Sequence, residues 1–161
     1  MKIKVFSLLI VLLLVACAGT RHEKKIITGK FSWNQWQQQT GWNSYDAADY
    51  EPGEFLAEQL SNIVSSDSID FLLFSGSWCG DSESEVPKIY KLFQVAKIPL
   101  TKITLYGVDR QKLEPTGTAK KYEIQRVPTL IILSKGKEKG RIIEYPKVSW
   151  EEDIFKTLIK K

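Results

Sequence analysis

The chain has 161 residues, enough for one domain with extensions and for an ordinary core without disulfide staples. Hydrophobic residues make up 43% and charged residues 26%, the balance of a soluble globular protein. The formal charge of +4 includes Lys2 and Lys4, which lie in a segment expected to be removed. The small excess left, and the alternation of Lys with Glu and Asp toward the C-terminus, exclude a nucleic-acid-binding stripe. Two cysteines, Cys17 and Cys79, and the lone His22 form no ligand cluster, so no metal is expected.

The N-terminus reads as an address. Lys2 and Lys4 precede an almost wholly apolar run, Val5 to Ala16, interrupted only by Ser7. About a dozen residues is too short to span a bilayer, which takes roughly twenty. A basic start, a short apolar run and a small residue at a boundary describe a secretory signal peptide. The boundary Leu14-Val15-Ala16-Cys17 resembles the lipobox of bacterial lipoproteins. That resemblance implies lipidation at Cys17, removal of residues 1–16 and a membrane anchor made of several acyl chains. An incidental cysteine after an ordinary signal peptide, or an uncleaved anchor, are the competing readings. Ala18 stands where an inner-membrane retention signal would place Asp, which favours an outer membrane where there is one. The expected location is the cell envelope, on the periplasmic side or at the outer membrane.

Residues 17–30 are polar and basic without periodicity and read as a lipidated tether. The folded domain is expected over 31–161. Its first part, Phe31 to Tyr50, sets Trp33, Trp36, Trp42 and Tyr45 among Gln and Asn. The spacing of Trp33 and Trp36 puts both on one side of a short helix. These aromatics either cap the core or form a partner-binding patch. After Pro52-Gly53, a helix is predicted over Glu54 to Val64, with Phe55, Leu56, Leu60, Ile63 and Val64 apolar. Ile69 to Phe74 reads as a buried strand. A turn, Ser75 to Asp81, leads to a helix over Ser82 to Val95. Leu100 to Tyr106 alternates as a strand. A loop, Asp109 to Gly117, precedes a short helix at Thr118 to Tyr122. Thr129 to Leu133 is a strand whose hairpin partner is expected at Arg141 to Tyr145. Trp150 to Lys160 closes the chain as an amphipathic helix carrying Trp150, Ile154, Phe155, Leu158 and Ile159 on one stripe. Alternating helices and strands followed by a hairpin give an α/β fold, a central mixed sheet flanked by helices on both faces. Gly136 to Gly140 is a Lys-rich hairpin rather than a phosphate loop, so no nucleotide or other cofactor is expected.

Chemistry is concentrated where a strand ends, a tight turn presents Cys79 and a helix begins. Unpaired backbone N–H groups and the positive end of the helix dipole favour a thiolate there, and the thiolate is the nucleophile. Asp81 opposes this, since a nearby negative charge disfavours another. Trp78-Cys79-Gly80 resembles the Trp-Cys-Gly-Pro-Cys turn of thioredoxins. Pro87, eight residues after Cys79, stands where that family kinks its active-site helix. Tyr122-Glu123-Ile124-Gln125-Arg126-Val127-Pro128-Thr129-Leu130 resembles the family's Tyr-x-Ile-x-x-x-Pro-Thr-Leu segment. Together these motifs imply a thioredoxin-like fold over roughly Glu54 to Lys160. The resemblance also implies a cis Val127-Pro128 bond facing Cys79, with Trp78, Val127 and Pro128 receiving an extended substrate.

Two departures change the expected chemistry. Ser82 replaces the second cysteine, and Leu73 replaces a buried acid six residues before the first. In the family's reduction of disulfides the second thiol resolves the mixed disulfide formed by the first. Ser82 cannot do so. Cys79 is therefore expected to act as a monothiol oxidoreductase or isomerase on a protein or small-thiol partner, with Ser82 donating a hydrogen bond to the thiolate. The alternatives are a non-catalytic binding module that uses the proline groove, and a redox sensor or dimer linked through Cys79.

Overall fold

A computed structural model describes residues 24–160. Its centre is a five-stranded mixed sheet: β1 (Gly29–Phe31), β2 (Ile69–Ser75), β3 (Ile103–Gly107), β4 (Thr129–Ser134) and β5 (Lys137–Ile143), in the spatial order β1-β3-β2-β4-β5. β2 and β3 run parallel, and every other neighbouring pair is antiparallel. Five α-helices surround it: α1 (Trp33–Thr40), α2 (Glu54–Ser66), α3 (Gly80–Val95), α4 (Thr118–Lys121) and α5 (Trp150–Ile159). This is the thioredoxin fold.

The period-2 geometry of the strands divides the interior into two cores. Phe71, Leu73, Ile103, Leu105, Leu130 and Ile132 face one way and pack with buried residues of α1, α2, α3 and α5. Phe74, Tyr106, Ile131 and Leu133 face the other way and pack with Ala119 of α4 and with Ile124 and Val127 of the loop after it. The two faces are unequally covered, and the thinner one carries the half-buried Trp78 and Cys79.

The aromatic N-terminal segment belongs to the thicker core. Trp36 is fully buried, 5.6 Å from Trp42 in an edge-on pair, while Trp33 and Tyr45 both contact the Tyr90 ring. Of the two readings of these side chains, core packing is the one the fold adopts. Ser32 caps α1 in a reciprocal pair with Gln35, and Gly41 ends it in the left-handed conformation.

Several boundaries differ from the sequence reading. The expected tether reaches only as far as the fold permits: Ile27 is buried, and Gly29–Phe31 pairs with β3. Leu100–Lys102 is a short 3-10 turn, so β3 starts three residues late. The partner of β4 is Lys137–Ile143 rather than Arg141 to Tyr145. Its charged residues sit on a sheet edge, where charge blocks further pairing. Phe55 and Ile159 point to solvent, at 72% and 55% exposure, because the helices that carry them bury narrower stripes than their apolar spacing suggests.

Candidate active site

β2 delivers the chain to the site. Its last residue, Ser75, accepts the Val108 N–H at 2.9 Å, which fixes the end of β2 against the segment after β3. The turn then closes on itself: the Cys79 N–H donates to the Gly76 carbonyl at 2.9 Å, and the Glu83 N–H donates to the Cys79 carbonyl at 3.1 Å. Cys79 is thereby the N-cap of α3, with extended backbone. Pro87 is buried inside α3.

The Cys79 thiol donates to the carbonyl oxygen of Val127 at 3.3 Å. This contact joins the two sequence motifs across 48 residues of chain. The Val127-Pro128 bond is cis. Its surroundings hold it from both sides: Thr129 Oγ1 donates to the Arg126 carbonyl at 2.8 Å, and the Glu144 N–H donates to the Pro128 carbonyl at 2.7 Å. The side chain of Val127 is buried, so its backbone is the part turned toward the sulfur.

Ser82 is fully buried one helical turn from Cys79. Its hydroxyl accepts the Gly76 N–H at 3.1 Å. That bond closes the turn and uses a lone pair of the hydroxyl oxygen; the expected donation from Ser82 to the sulfur is not among the hydrogen bonds of the described residues. Leu73 is fully buried in the thicker core. Asp81 is exposed on the first turn of α3. Cys17 lies outside the described residues.

Trp78 is fixed in three ways. Its indole N–H donates to the Val108 carbonyl at 3.0 Å. Its ring lies so close to the Gly76 backbone that a Cβ there would meet Cε2 at 2.8 Å. Two cations flank it: the Arg110 guanidinium is 5.1 Å from the ring centroid and the Lys112 ammonium 5.7 Å. Sequence reasoning missed this pair, because the only signal was two basic residues in a loop of no fixed pattern.

A second missed element is Ser77. Its hydroxyl donates to the Lys25 carbonyl at 2.7 Å and accepts the Ile27 N–H at 3.0 Å. Lys24 pairs with Glu83 on α3. The entering chain is thus bound to the reactive turn. Among the described residues no three His, Cys, Asp or Glu side chains converge on a point that could hold a metal ion.

The arrangement can do sulfur chemistry: a half-exposed thiol at a helix start, a backbone carbonyl beside it and an aromatic rim. The chain is similar to several known proteins. The family model described as Thioredoxin matches residues 54–160. A thioredoxin of Mycoplasma pneumoniae is 29% identical over 89 residues, covering 55% of this chain and 80% of that protein. A thioredoxin of Chlamydia pneumoniae is 29% identical over 92 residues, covering 52% and 84%. Among solved structures, a mutant thioredoxin from Halobacterium salinarum aligns with a TM-score of 0.40 at 19% identity, covering 63% of this chain and 84% of that one. Oxidized mitochondrial thioredoxin 3 from Saccharomyces cerevisiae aligns with a TM-score of 0.37 at 24% identity, covering 53% and 74%.

Proposed function

The chain belongs to the thioredoxin family, and from that premise we propose that it is an envelope-anchored monothiol exchange protein acting through Cys79. The Cys79 thiolate attacks one sulfur of a partner disulfide. The partner's S–S bond breaks, a Cys79–partner disulfide forms, and the other partner sulfur leaves and takes up a proton. In dithiol relatives a second thiol would then attack this bond. Here Ser82 offers an oxygen already engaged with Gly76, and Leu73 offers no proton acceptor. Release falls to an external thiol, which attacks the mixed disulfide and returns Cys79 to the thiol.

The observation that carries this reading is the 3.3 Å contact between the Cys79 sulfur and the Val127 carbonyl. When the sulfur bonds to a partner its proton is gone, and that carbonyl is free to accept an N–H from the partner's extended backbone. Trp78 forms the rim of the same site. Ser82 serves as a brace of the turn, and Asp81 tempers the charge at the helix start.

Trapping tests the proposal. Thiols are quenched with acid in cells expressing the full chain, and the species disulfide-bonded to the protein are identified. Discrete mixed disulfides that vanish in Cys79→Ser support exchange. Clients that still bind Cys79→Ser, with Cys79 found fully reduced in the parent, move the function to a non-covalent binding module. Anchoring is tested separately: Cys17→Ser should move the protein from the membrane to the soluble fraction, and unchanged fractionation would remove the lipid anchor.

A further inference from the structure

The loop after β3 is built to hold charge beside Trp78. Asp109 closes it: the Asp109 N–H donates to the Leu113 carbonyl at 3.0 Å, the Asp109 carboxylate accepts the Leu113 N–H at 2.8 Å, and the Asp109 carbonyl accepts the Lys112 N–H at 3.0 Å. Lys112 adopts the left-handed conformation, with φ of 64°. Its ammonium donates to the Arg110 carbonyl at 2.9 Å while lying over the indole. Farther along, buried Glu114 accepts the N–H groups of Thr116 and Ala119. Local bonding thus orders the loop before any partner arrives.

Among the described residues neither cation is in an ion pair, although the loop also carries the carboxylates of Asp109 and Glu114, both turned to backbone N–H groups. Arg126 pairs with Glu144 and Arg141 with Glu138, whereas Arg110 has no carboxylate within 4 Å among the described residues, and neither does Lys112. Arg110 is exposed, with its guanidinium edge available for a carboxylate. The acidic residues at the start of α3 do not cancel the pair: Glu83 is engaged by Lys24, and Asp81 faces solvent.

We propose that Arg110 and Lys112 select sulfur partners that carry a carboxylate beside the reacting disulfide. The inference rests on the reading of Cys79 as the exchanging thiol and adds the chemical class of what it captures. The shared chemistry is a carboxylate near a disulfide, whether in an acidic peptide segment or in a small acidic thiol compound.

The test uses the full chain and three peptides of one core sequence, each with its cysteine activated as a mixed disulfide to neutral 2-thiopyridine and flanked by Glu, Gln or Lys. Cys79 displaces thiopyridine, which leaves with the proton and is followed by its absorbance. The Glu-flanked peptide should react about fivefold faster than the Gln-flanked one at low ionic strength, and the Lys-flanked peptide more slowly than either. Salt should shrink these ratios toward one. Arg110→Gln with Lys112→Gln should abolish the ratio, and Arg110→Glu with Lys112→Glu should invert it. Equal rates for the three peptides together with no charge-dependent gain for a small dicarboxylic disulfide, or a ratio that survives both double variants, would overturn the selectivity while leaving exchange intact. No reaction beyond the Cys79→Ser background would overturn the exchange reading and this inference together. A small dicarboxylic disulfide run beside the peptides distinguishes the sources: a charge-dependent gain there alone identifies a small compound, and one in the peptides identifies a protein segment.

Discussion

The hydroxyl oxygen of Ser82 accepts the backbone N–H of Gly76 at 3.1 Å, so this side chain braces the turn that presents Cys79. Both groups are buried. Ser82→Ala leaves the Gly76 amide without its acceptor and should cost about 1–3 kcal/mol, read as a lower midpoint in urea. Ser82→Cys retains only a weak acceptor and should also destabilise, by less. It places a second thiol one helical turn from Cys79, however, so mixed disulfides at Cys79 should become short-lived in the trapping experiment. Mixed disulfides as abundant in Ser82→Cys as in the parent would show that Ser82 is not what limits release.

Gly107 gives a second prediction, on the fold. It lies at the end of β3 opposite Gly29 and Ser75, where an added Cβ would meet the Ile27 carbonyl oxygen at 2.5 Å and the Trp36 ring at 2.6 Å. One neighbour is backbone and the other a fully buried indole, so neither yields cheaply. Gly107→Ala should destabilise by about 1–3 kcal/mol in chemical denaturation. Gly80 is the control, since a Cβ there meets nothing within 4 Å. Gly80→Ala should be neutral or gain a few tenths of a kcal/mol through the lower entropy of the unfolded chain.

What the sequence disclosed and what it hid follow from where the information lies. Ile69–Ser75 and Thr129–Ser134 were legible because strands buried on both faces are continuous apolar runs. Trp33 and Trp36 were legible by helical spacing. β1 was not: Gly-Lys-Phe has no local pattern, and it is a strand only because β3 lies beside it. β5 was displaced in the reading because Lys137-Glu138-Lys139 looks like a loop, yet an edge strand tolerates that composition. At the site, Cys79, Trp78, Val127 and Pro128 were legible as parts of two motifs. Arg110 and Lys112 were not, since only the closed loop after β3 brings them over Trp78.

Acid should weaken the fold through two carboxylates. Burial pushes the Glu151 carboxyl upward, but the Gly53 N–H and the Tyr50 hydroxyl outweigh it and hold the group below its ordinary value of 4.5. Glu114 is likewise pushed up by burial and brought below 4.5 by hydrogen bonds from Thr116 and Ala119. A carboxyl whose value is lower folded than unfolded stabilises the fold when ionised. That contribution is complete above about pH 4.5 and is lost as pH falls through the lower, folded values. Glu151→Gln should therefore reduce stability near neutrality and flatten its decline below pH 4.5, measured as urea midpoints across an acid series. Tyr50 acts at the other limb: burial first, then Glu151, raise its phenol above 10.0, so stability should fall as pH rises beyond that value. An acid limb as steep in Glu151→Gln as in the parent would place the titrating groups elsewhere.

Ser77 governs how the entering chain meets the site. Its hydroxyl both donates to the Lys25 carbonyl and accepts the Ile27 N–H, and Ile27 is buried two residues before β1. Ser77→Ala removes both bonds at once and leaves the Ile27 amide without its acceptor, at a local cost of about 1–3 kcal/mol. The rest of the domain keeps its cores, so the effect should appear first as local opening rather than as global unfolding. Hydrogen exchange at the Ile27 amide should accelerate, and the bond after Lys25 should become a site of tryptic cleavage in the folded protein. Ser77→Thr retains the hydroxyl and should restore most of the protection. Because Ser77 immediately precedes Trp78 and Cys79, the same variant should also change the rate at which Cys79 reacts with a neutral disulfide. Faster exchange at Ile27 with an unaltered Cys79 rate would show that the entering segment is attached to the turn without influencing it.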